Sequence, residues 1–271
     1  MNRGGDGSSP QTSWGRAVPT PVATPVKAWG RFAKHASPAG SRRQLRFSVA
    51  LRARAIISRF SLLLALFTFA ASPADEILFQ DDFKGKLADG WSWVREHREG
   101  WRATERGLEV RIEPGNMWGP ANNAKNVLTR PAPDTAKDEI EVSVSVENRP
   151  TEQYEQVDLV WYYDDSHMVK VGQELVDGKL SIVMGREEGD RTRTIAIIPL
   201  ESFTVRLRFL SKGNRIRGQF RTPGSENWKD AGECDLPVRG PAKVSLQCYQ
   251  GPALTEHWAR ITEFRIRRIR D

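Results

Sequence analysis

Residues 139–147 read EIEVSVSVE, with a valine at every second position from 142 and an acid or a serine between the valines. Two further stretches repeat this pattern, FTVRLRF at 203–209 and VSLQC at 244–248. Such alternation places the apolar and the polar side chains on opposite faces of a strand. The sequence therefore predicts antiparallel sheets with one face packed against a core.

Turn-forming clusters separate the strand-like segments of residues 75–271. They combine Gly, Pro, Asp and Asn, which favour tight turns, and they lie at 164–165, 177–178, 188–190, 212–214, 223–224 and 239–241. We count about a dozen strands and no convincing helix. The prediction is an all-β fold, an antiparallel two-sheet β-sandwich of the jelly-roll kind, with a closed barrel as the alternative.

The first 74 residues differ in composition from the rest. Residues 1–51 are rich in Gly, Pro, Ser, Ala and Arg and lack apolar periodicity, which predicts a disordered basic leader. Residues 60–71, FSLLLALFTFAA, form an apolar run too short to span a bilayer. Basic residues precede this run and small residues follow it, so 52–74 is typical of a secretory signal peptide. A buried core helix and an uncleaved anchor are the alternatives.

An export signal predicts a secreted, periplasmic or cell-surface protein that meets a membrane only during export. Signal peptides normally have a short basic start, and the long leader departs from that pattern. Translation from an alternative codon near Val49 or Leu51 would explain the difference, so the leader is a candidate for a wrongly assigned start.

The formal net charge of +7 does not describe the part predicted to be exported. Residues 75–271 hold 30 Lys+Arg against 33 Asp+Glu, a balance of −3, because the leader carries much of the excess base. Nucleic-acid binding needs a concentrated positive field. The one remaining basic cluster is expected to be a strand face paired with acids, so we predict no nucleic-acid partner; it comprises Arg265, Arg267, Arg268 and Arg270.

Residues 91–130 place four tryptophans, Trp91, Trp93, Trp101 and Trp118, among charged and amide side chains. A tryptophan offers a flat apolar surface and one N–H donor, and neighbouring amides suit hydroxyl groups, so this mixture predicts an oligo- or polysaccharide ligand. We expect about two of the four to be core. Trp118 is the one expected in solvent, beside three amides that would contact the ligand, Asn116, Asn122 and Asn123.

A second aromatic stretch begins at residue 158. Alternation puts Leu159, Trp161 and Tyr163 on one strand face and Asp158, Val160 and Tyr162 on the other, and it leaves open which set lines the core. Polar residues interrupt the next strand, where a buried one would need a partner. One interpretation is an ordinary sheet; the other is the floor of a sugar site made by Trp161, Tyr163, Gln173 and Glu174.

Four stretches resemble a known family: 78–112, 116–133, 157–183 and 258–269. They are similar to the concanavalin A-like β-sandwich at the C-terminus of family 43 β-xylosidases and to the domain-of-unknown-function 1349 family. The likeness covers essentially all of residues 75–271. It implies a lectin- or glucanase-like sandwich that holds a saccharide as an accessory to catalysis elsewhere. The chain lacks the catalytic propeller of the xylosidases.

The sequence contains no recognised motif for catalysis by this chain alone. Hydrolases similar to this fold place three acids on one strand as E-x-D-x-E or E-x-D-x-x-E, since retaining cleavage needs two carboxyl groups about 5 Å apart. Glu139-Ile140-Glu141 is the nearest approach, and Ser143 and Val144 stand where the third acid belongs. We interpret the two glutamates as the solvent face of a strand and predict no catalytic residues.

Metal and disulfide sites are weakly indicated. Asp81 and Asp82 could supply carboxylates to a structural Ca²⁺, as the resemblance also implies, although a plain N-terminal strand edge is the favoured interpretation. The four histidines lack zinc-site spacing, so no other cofactor is expected. Cys234 and Cys248 lie 14 positions apart on what look like neighbouring strands. A disulfide and two buried thiols both remain open.

These observations predict an exported, non-catalytic, lectin-like β-sandwich that binds carbohydrate. A glycoside hydrolase or lyase with an unrecognised acid pair is one alternative, and a structural or adhesion module of the cell envelope is the other.

Overall fold

Fifteen strands and one short 3₁₀ turn, Arg98–Gly100, form the regular structure of residues 75–270, the part that our computed structural model describes. The predicted leader and signal peptide lie outside this range. The strands are β1 (Glu76–Asp81), β2 (Ser92–Val94), β3 (Trp101–Thr104), β4 (Gly107–Arg111), β5 (Val127–Pro131), β6 (Glu139–Glu147), β7 (Gln156–Asp164), β8 (His167–Val176), β9 (Lys179–Glu188), β10 (Arg191–Pro199), β11 (Thr204–Lys212), β12 (Arg215–Arg221), β13 (Lys229–Asp235), β14 (Lys243–Tyr249) and β15 (Trp258–Ile269).

The strands form two antiparallel sheets with free edges, which confirms the sandwich and excludes the closed barrel. The eight-stranded sheet has the order β13-β12-β11-β6-β15-β4-β3, and β1 pairs with β15 beyond the end of β4. The seven-stranded sheet has the order β10-β9-β8-β7-β14-β5-β2. Residues 75–270 contain no helix long and apolar enough to cross a membrane.

The inner faces of both sheets meet in one apolar core. Val144 and Val146 of β6 lie opposite Leu207 and Val205 of β11, and all four are buried. Leu246 of β14 contributes from the other sheet. Burying one such side chain contributes roughly 1.5–3 kcal/mol to stability, so the predicted period-two pattern decides which strand faces turn inward.

Asp81 fastens the start of the domain to this core. Its carboxylate accepts hydrogen bonds from the Phe83 amide at 2.7 Å, the Ala88 amide at 2.9 Å and Trp91 Nε1 at 3.0 Å. Asp82 instead pairs with Arg265 at 2.8 Å. The two carboxylates thus have separate protein partners, and the structure does not gather them with further acids into the predicted calcium site.

The basic cluster near the C-terminus is paired with acids, as predicted. Arg267 binds Glu141 at 2.7 Å, and Arg268 and Arg270 both bind Glu76, at 2.6 and 2.7 Å. With Arg265 on Asp82, every arginine of the cluster has a carboxylate partner. These pairs join the end of β15 to two of its neighbours, β1 and β6.

The two cysteines are free thiols, so of the two alternatives left open by the sequence the structure has the thiols and not the disulfide. Cys234 lies on β13, at an edge of the eight-stranded sheet, whereas Cys248 lies on β14, inside the seven-stranded sheet. The link from β13 to β14 crosses between sheets, so the cysteines are not on neighbouring strands. Burial raises the pKa of the Cys234 thiol to about 11 and raises that of Cys248 further.

Free thiols predict that a reducing agent leaves the melting temperature unchanged, because no covalent link restrains the unfolded chain. Calorimetry with and without reductant measures this. In native protein an alkylating reagent should modify half-buried Cys234 before fully buried Cys248, and faster as the pH rises toward 11. A drop of several degrees on reduction would contradict the assignment.

We also predict that residues 75–271 fold without the preceding segment, because residues 75–270 bury a continuous apolar core of their own. A protein that starts at residue 75 should melt in one cooperative transition. Gradual unfolding of this fragment, beside a cooperative transition in the full chain, would show that the boundary is misplaced.

Candidate functional site

A long loop, residues 112–126 between β4 and β5, covers the outer face of the seven-stranded sheet. Met117 and Ala124 of this loop are buried against the sheet, where they form a second apolar cluster with five residues of the strands. Those residues are Val127, Val160, Tyr162, Met168 and Tyr249. The middle strands are therefore buried on both faces.

Two polar contacts anchor the loop. Arg95 donates from Nε to the Ala124 carbonyl at 2.7 Å and pairs with Asp165, beyond β7, at 2.6 Å. On the far side, Glu187 of β9 accepts a hydrogen bond from the Gly119 amide at 3.0 Å. The loop is thus held at Gly119 and at Ala124, both of which follow Trp118 in the chain.

Trp118 lies half-buried over Gly185 of β9, a correction to the prediction that it stands in solvent. A Cβ atom at position 185 would lie 2.5 Å from Cη2 of the indole, closer than carbon atoms approach, so the ring can rest here only because residue 185 is glycine. Lys170, opposite Gly185 in the ladder, holds its ammonium group 5.0 Å from the ring centroid, a cation–π distance.

A cavity of about 460 Å³ lies beside Trp118, over the outer face of the sheet. Its walls combine the indole and other apolar groups with amide, hydroxyl and carboxylate side chains, the composition of a pocket for a polar organic ligand. The lining comprises Asn116, Trp118, Tyr154, Gln156, Lys170, Glu174, Val176, Asp177, Val183, Thr194, Ile197 and Gln250.

A buried cation organises the polar side of the cavity. Lys170 is 3% exposed, and its Nζ donates to Gln156 Oε1 and, at 3.0 Å, to Glu174 Oε2. Asp158 lies 3.8 Å away. A buried ammonium group needs such partners, because desolvation penalises an unpaired charge by several kcal/mol. The other oxygen of Glu174 has no protein partner within residues 75–270 and can accept a hydrogen bond from a ligand.

Two acids near Lys170 and Trp118 have strongly perturbed ionisation. Burial raises the pKa of Asp158 to about 7, Lys170 opposes this rise, and Glu174 adds to it. Burial also raises the pKa of Glu187 to about 7, against the hydrogen bond from Gly119. Neither Asp158 oxygen makes a hydrogen bond of normal geometry to any described residue. Part of the negative charge here therefore disappears as the pH falls below 7.

The pKa of Asp158 leads to a pH prediction. Because this pKa lies above the ordinary value of 3.8, the folded state binds the carboxyl proton of Asp158 more tightly than the unfolded state does. The unfolding free energy therefore falls as the pH rises from about 4 to about 7. The stability of Asp158→Asn relative to the parent should rise over this range, by at most about 1.4 kcal/mol per pH unit. Denaturant titrations at about pH 5 and about pH 8 measure it; a constant difference would contradict the argument.

Some predicted site residues meet at this cavity and others do not. Asn116, Trp118 and Glu174 line it. The Asn116 amide is used within the loop, since Nδ2 donates to the Trp118 carbonyl at 2.8 Å. Asn122 and Asn123 also lie in the loop but do not line the cavity. Asn123 Oδ1 accepts a hydrogen bond from the backbone N–H of Asn116 at 2.9 Å. These amides shape the loop.

Of the four residues suggested as a site floor, Trp161, Tyr163 and Gln173 do not line this cavity. Trp161 belongs to the core between the sheets and Tyr163 packs against it, so their face of β7 points inward. Gln173 is fully buried and donates to the carbonyls of Ser202 and Phe203. Only Glu174, one position further along β8, faces the cavity, because successive residues of a strand point to opposite sides.

Sequence reasoning missed Gln156, Lys170 and Gln250. A usable signal was present, since Lys170 and Glu174 stand four positions apart in a strand and therefore share a face. Gln250 could not be found this way, because it follows the end of β14 and reaches the cavity with a left-handed backbone, φ 60°.

Other predicted chemistry lies away from this cavity. Glu141 faces outward on β6 as predicted, yet it is 2% exposed, because Arg208 and Arg267 cover it and bind it. The histidines of the described range each contact a carboxylate, as His257 does with Glu155 at 3.2 Å. Residues 75–270 contain no group of three or more acid, histidine or cysteine side chains suited to a metal.

The fold is a concanavalin A-like β-sandwich with a polar cavity on one outer face. The family model of the β-xylosidase C-terminal concanavalin A-like domain matches residues 80–240, more than half of the chain. The chain belongs to this family. No curated protein matches the sequence significantly.

Solved structures agree with the fold. A xylan β-1,4-xylosidase from Bacillus halodurans superposes with a TM-score of 0.60 at 20% identity, over 69% of this chain and 38% of its own. The GH43 protein BlXynB from Bacillus licheniformis gives 0.61 at 18%, over 69% and 38%. A functionally unknown protein from Saccharomyces cerevisiae gives 0.50 at 15%, over 65% and 95%. The chain thus spans about two fifths of the GH43 proteins, and the likeness shows the fold alone.

Proposed function

We propose that this chain is a non-catalytic carbohydrate-binding module that holds a neutral saccharide in the Trp118 cavity. The supporting observation is two aromatic side chains, Trp118 and Tyr154, and several hydrogen-bonding groups on the walls of a single 460 Å³ cavity. An indole can stack on the apolar face of a sugar ring. In this proposal the second oxygen of Glu174, the Thr194 hydroxyl and the Gln250 side-chain oxygen, all from residues of the cavity lining, bind hydroxyl groups at the ring edge.

The charge of the cavity favours a neutral ligand over an acidic one. Its lining holds one cation, Lys170, and two acids, Glu174 and Asp177. Asp158 and Glu187 add negative charge above pH 7. A ligand carboxylate would meet this negative field and find Lys170 already bonded to Gln156 and Glu174.

The family supports a saccharide as ligand and suggests the first compounds to test. The matched domain is named for β-xylosidases, and one structural relative is a xylan β-1,4-xylosidase. We therefore propose xylo-oligosaccharides as the first probes. The signal-like segment at 52–74 further supports a role outside the cytoplasm, where polysaccharides are accessible.

Glycoside cleavage is the second candidate, favoured by the raised pKa of Asp158 beside Glu174. A protonated carboxyl group next to an ionised one is the pairing that acid catalysis of glycoside hydrolysis uses. Asp158 is fully buried below Lys170, however, and does not line the cavity. Binding without product release is therefore the function that the geometry supports better.

Trp118→Ala should lower the affinity for xylo-oligosaccharides about tenfold or more, because aromatic stacking on a planar ligand contributes roughly 1–3 kcal/mol. Isothermal titration calorimetry of the full chain measures this, and chromatography of the same mixtures detects any cleavage. Trp228→Ala is the matched control, since Trp228 lies near the outer face of the other sheet against Arg208 and should leave this affinity unchanged.

A second variant separates binding from folding, since Trp118 also packs against the apolar cluster under the loop. Ile197 lines the cavity and is 52% exposed, so Ile197→Arg should fill the cavity mouth with little loss of stability. Full affinity in both variants would show that the saccharide binds elsewhere, and released product would support the second candidate.

A further inference from the structure

A second cavity, of about 420 Å³, lies on the outer face of the eight-stranded sheet. It is formed over β6, β11, β12 and β15, and Trp228, just before β13, provides a flat apolar wall. The side chains that matter here are four arginines, one glutamate and this tryptophan: Arg206, Arg221, Arg265, Arg267, Glu141 and Trp228.

Two of these arginines form a like-charged pair across the sheet. Arg206 of β11 lies directly opposite Arg221 of β12, and both face outward because Leu207 and Phe220 beside them are buried in the core. Like charges directly opposite in a ladder destabilise it. Burial lowers the pKa of Arg206, and the positive charges of Arg221 and Arg265 lower it further, while Glu263 raises it. The arrangement favours an anion between the two guanidinium groups.

The acids of the protein leave this pair under-neutralised. Arg221 forms no ion pair with any residue of the described range; its contact is the Trp228 ring, 4.8 Å away. The Nε group of Arg206 is buried and lacks a hydrogen-bond partner. Glu141 is already bound by Arg208 and Arg267. The Arg221 guanidinium group therefore remains available for a ligand.

The remaining acids lie toward solvent and hold their arginines weakly. Glu263 pairs with Arg206 at 2.8 Å but is 53% exposed, and Asp82 pairs with Arg265 at 2.8 Å and is 45% exposed. Exposed ion pairs of this kind contribute little. A ligand carboxylate that displaced them would gain charge-assisted bonds from planar guanidinium groups, which match a carboxylate with two parallel N–H donors.

We propose that this cavity binds the carboxylate of an acidic sugar, a uronate residue, between Arg206 and Arg221 with the sugar ring against Trp228. The site is independent of the Trp118 cavity: it lies on the other sheet, carries the opposite charge and selects the ligand class that the first cavity disfavours. The tryptophan wall and the volume of the cavity favour a ring-bearing ligand over a small inorganic anion.

The test compares three probes on the full chain by isothermal titration calorimetry: a glucuronate-containing disaccharide, the matching neutral disaccharide and sodium sulfate. We expect saturable binding of the glucuronate probe that weakens as salt is added. Arg221→Gln and Trp228→Ala should each reduce its affinity at least tenfold. Trp118→Ala should leave it unchanged, which separates this proposal from the function proposed above.

Arg217→Gln is the matched control, because it removes the same charge from the same face of the same strand. Arg217 pairs with Asp230 outside the cavity. It should change the affinity less than twofold. Arg221→Gln should also melt no lower than the parent, since it removes a repulsion. Equal affinity for the neutral disaccharide, equal affinity for sulfate, or equal losses in Arg217→Gln and Arg221→Gln would each overturn the proposal.

Discussion

The apolar contact between the two sheets is the constraint on which the rest of the structure depends. A strand turns successive side chains to opposite sides, so once Val144 and Leu207 enter the core, Ser143 and Arg206 must face outward. The same rule sends Lys170 outward because its neighbours Val169 and Val171 are buried inside. Both cavities therefore consist of the residues that the core leaves on the outer faces.

The outer faces of the two sheets are covered from solvent in different ways. On the seven-stranded sheet a loop supplies apolar cover, and the polar groups beneath it gather around one buried ammonium group, Lys170. On the eight-stranded sheet no loop of residues 75–270 lies over Glu141, and the long stems of Arg208 and Arg267 cover it instead. The first solution leaves a cavity with negative balance and the second a cavity with positive balance.

Alternation alone predicted the strands, the sandwich and the inward faces of β6, β11 and β14. It failed for β7, where Trp161 and Tyr162 are both buried, because the loop gives this strand a second apolar face that no local pattern reveals. The prediction that Trp118 lies in solvent failed for the same reason, because the loop packs this side chain against the sheet. The cysteines were misplaced for a topological reason, since the chain changes sheet between them. Residue types near the site were thus predictable, whereas their grouping depends on contacts distant in sequence.

Gly185 supports the indole ring that forms one wall of the first cavity. The indole above it rests where any larger residue would place a carbon 2.5 Å from the ring. A single methyl group in the middle of a sheet strand would therefore tilt an aromatic plane that is attached to a loop more than 60 residues earlier in the chain. Redesign of ligand preference can begin at residue 185, because side chains of increasing size at this position of β9 would displace the Trp118 ring by increasing amounts.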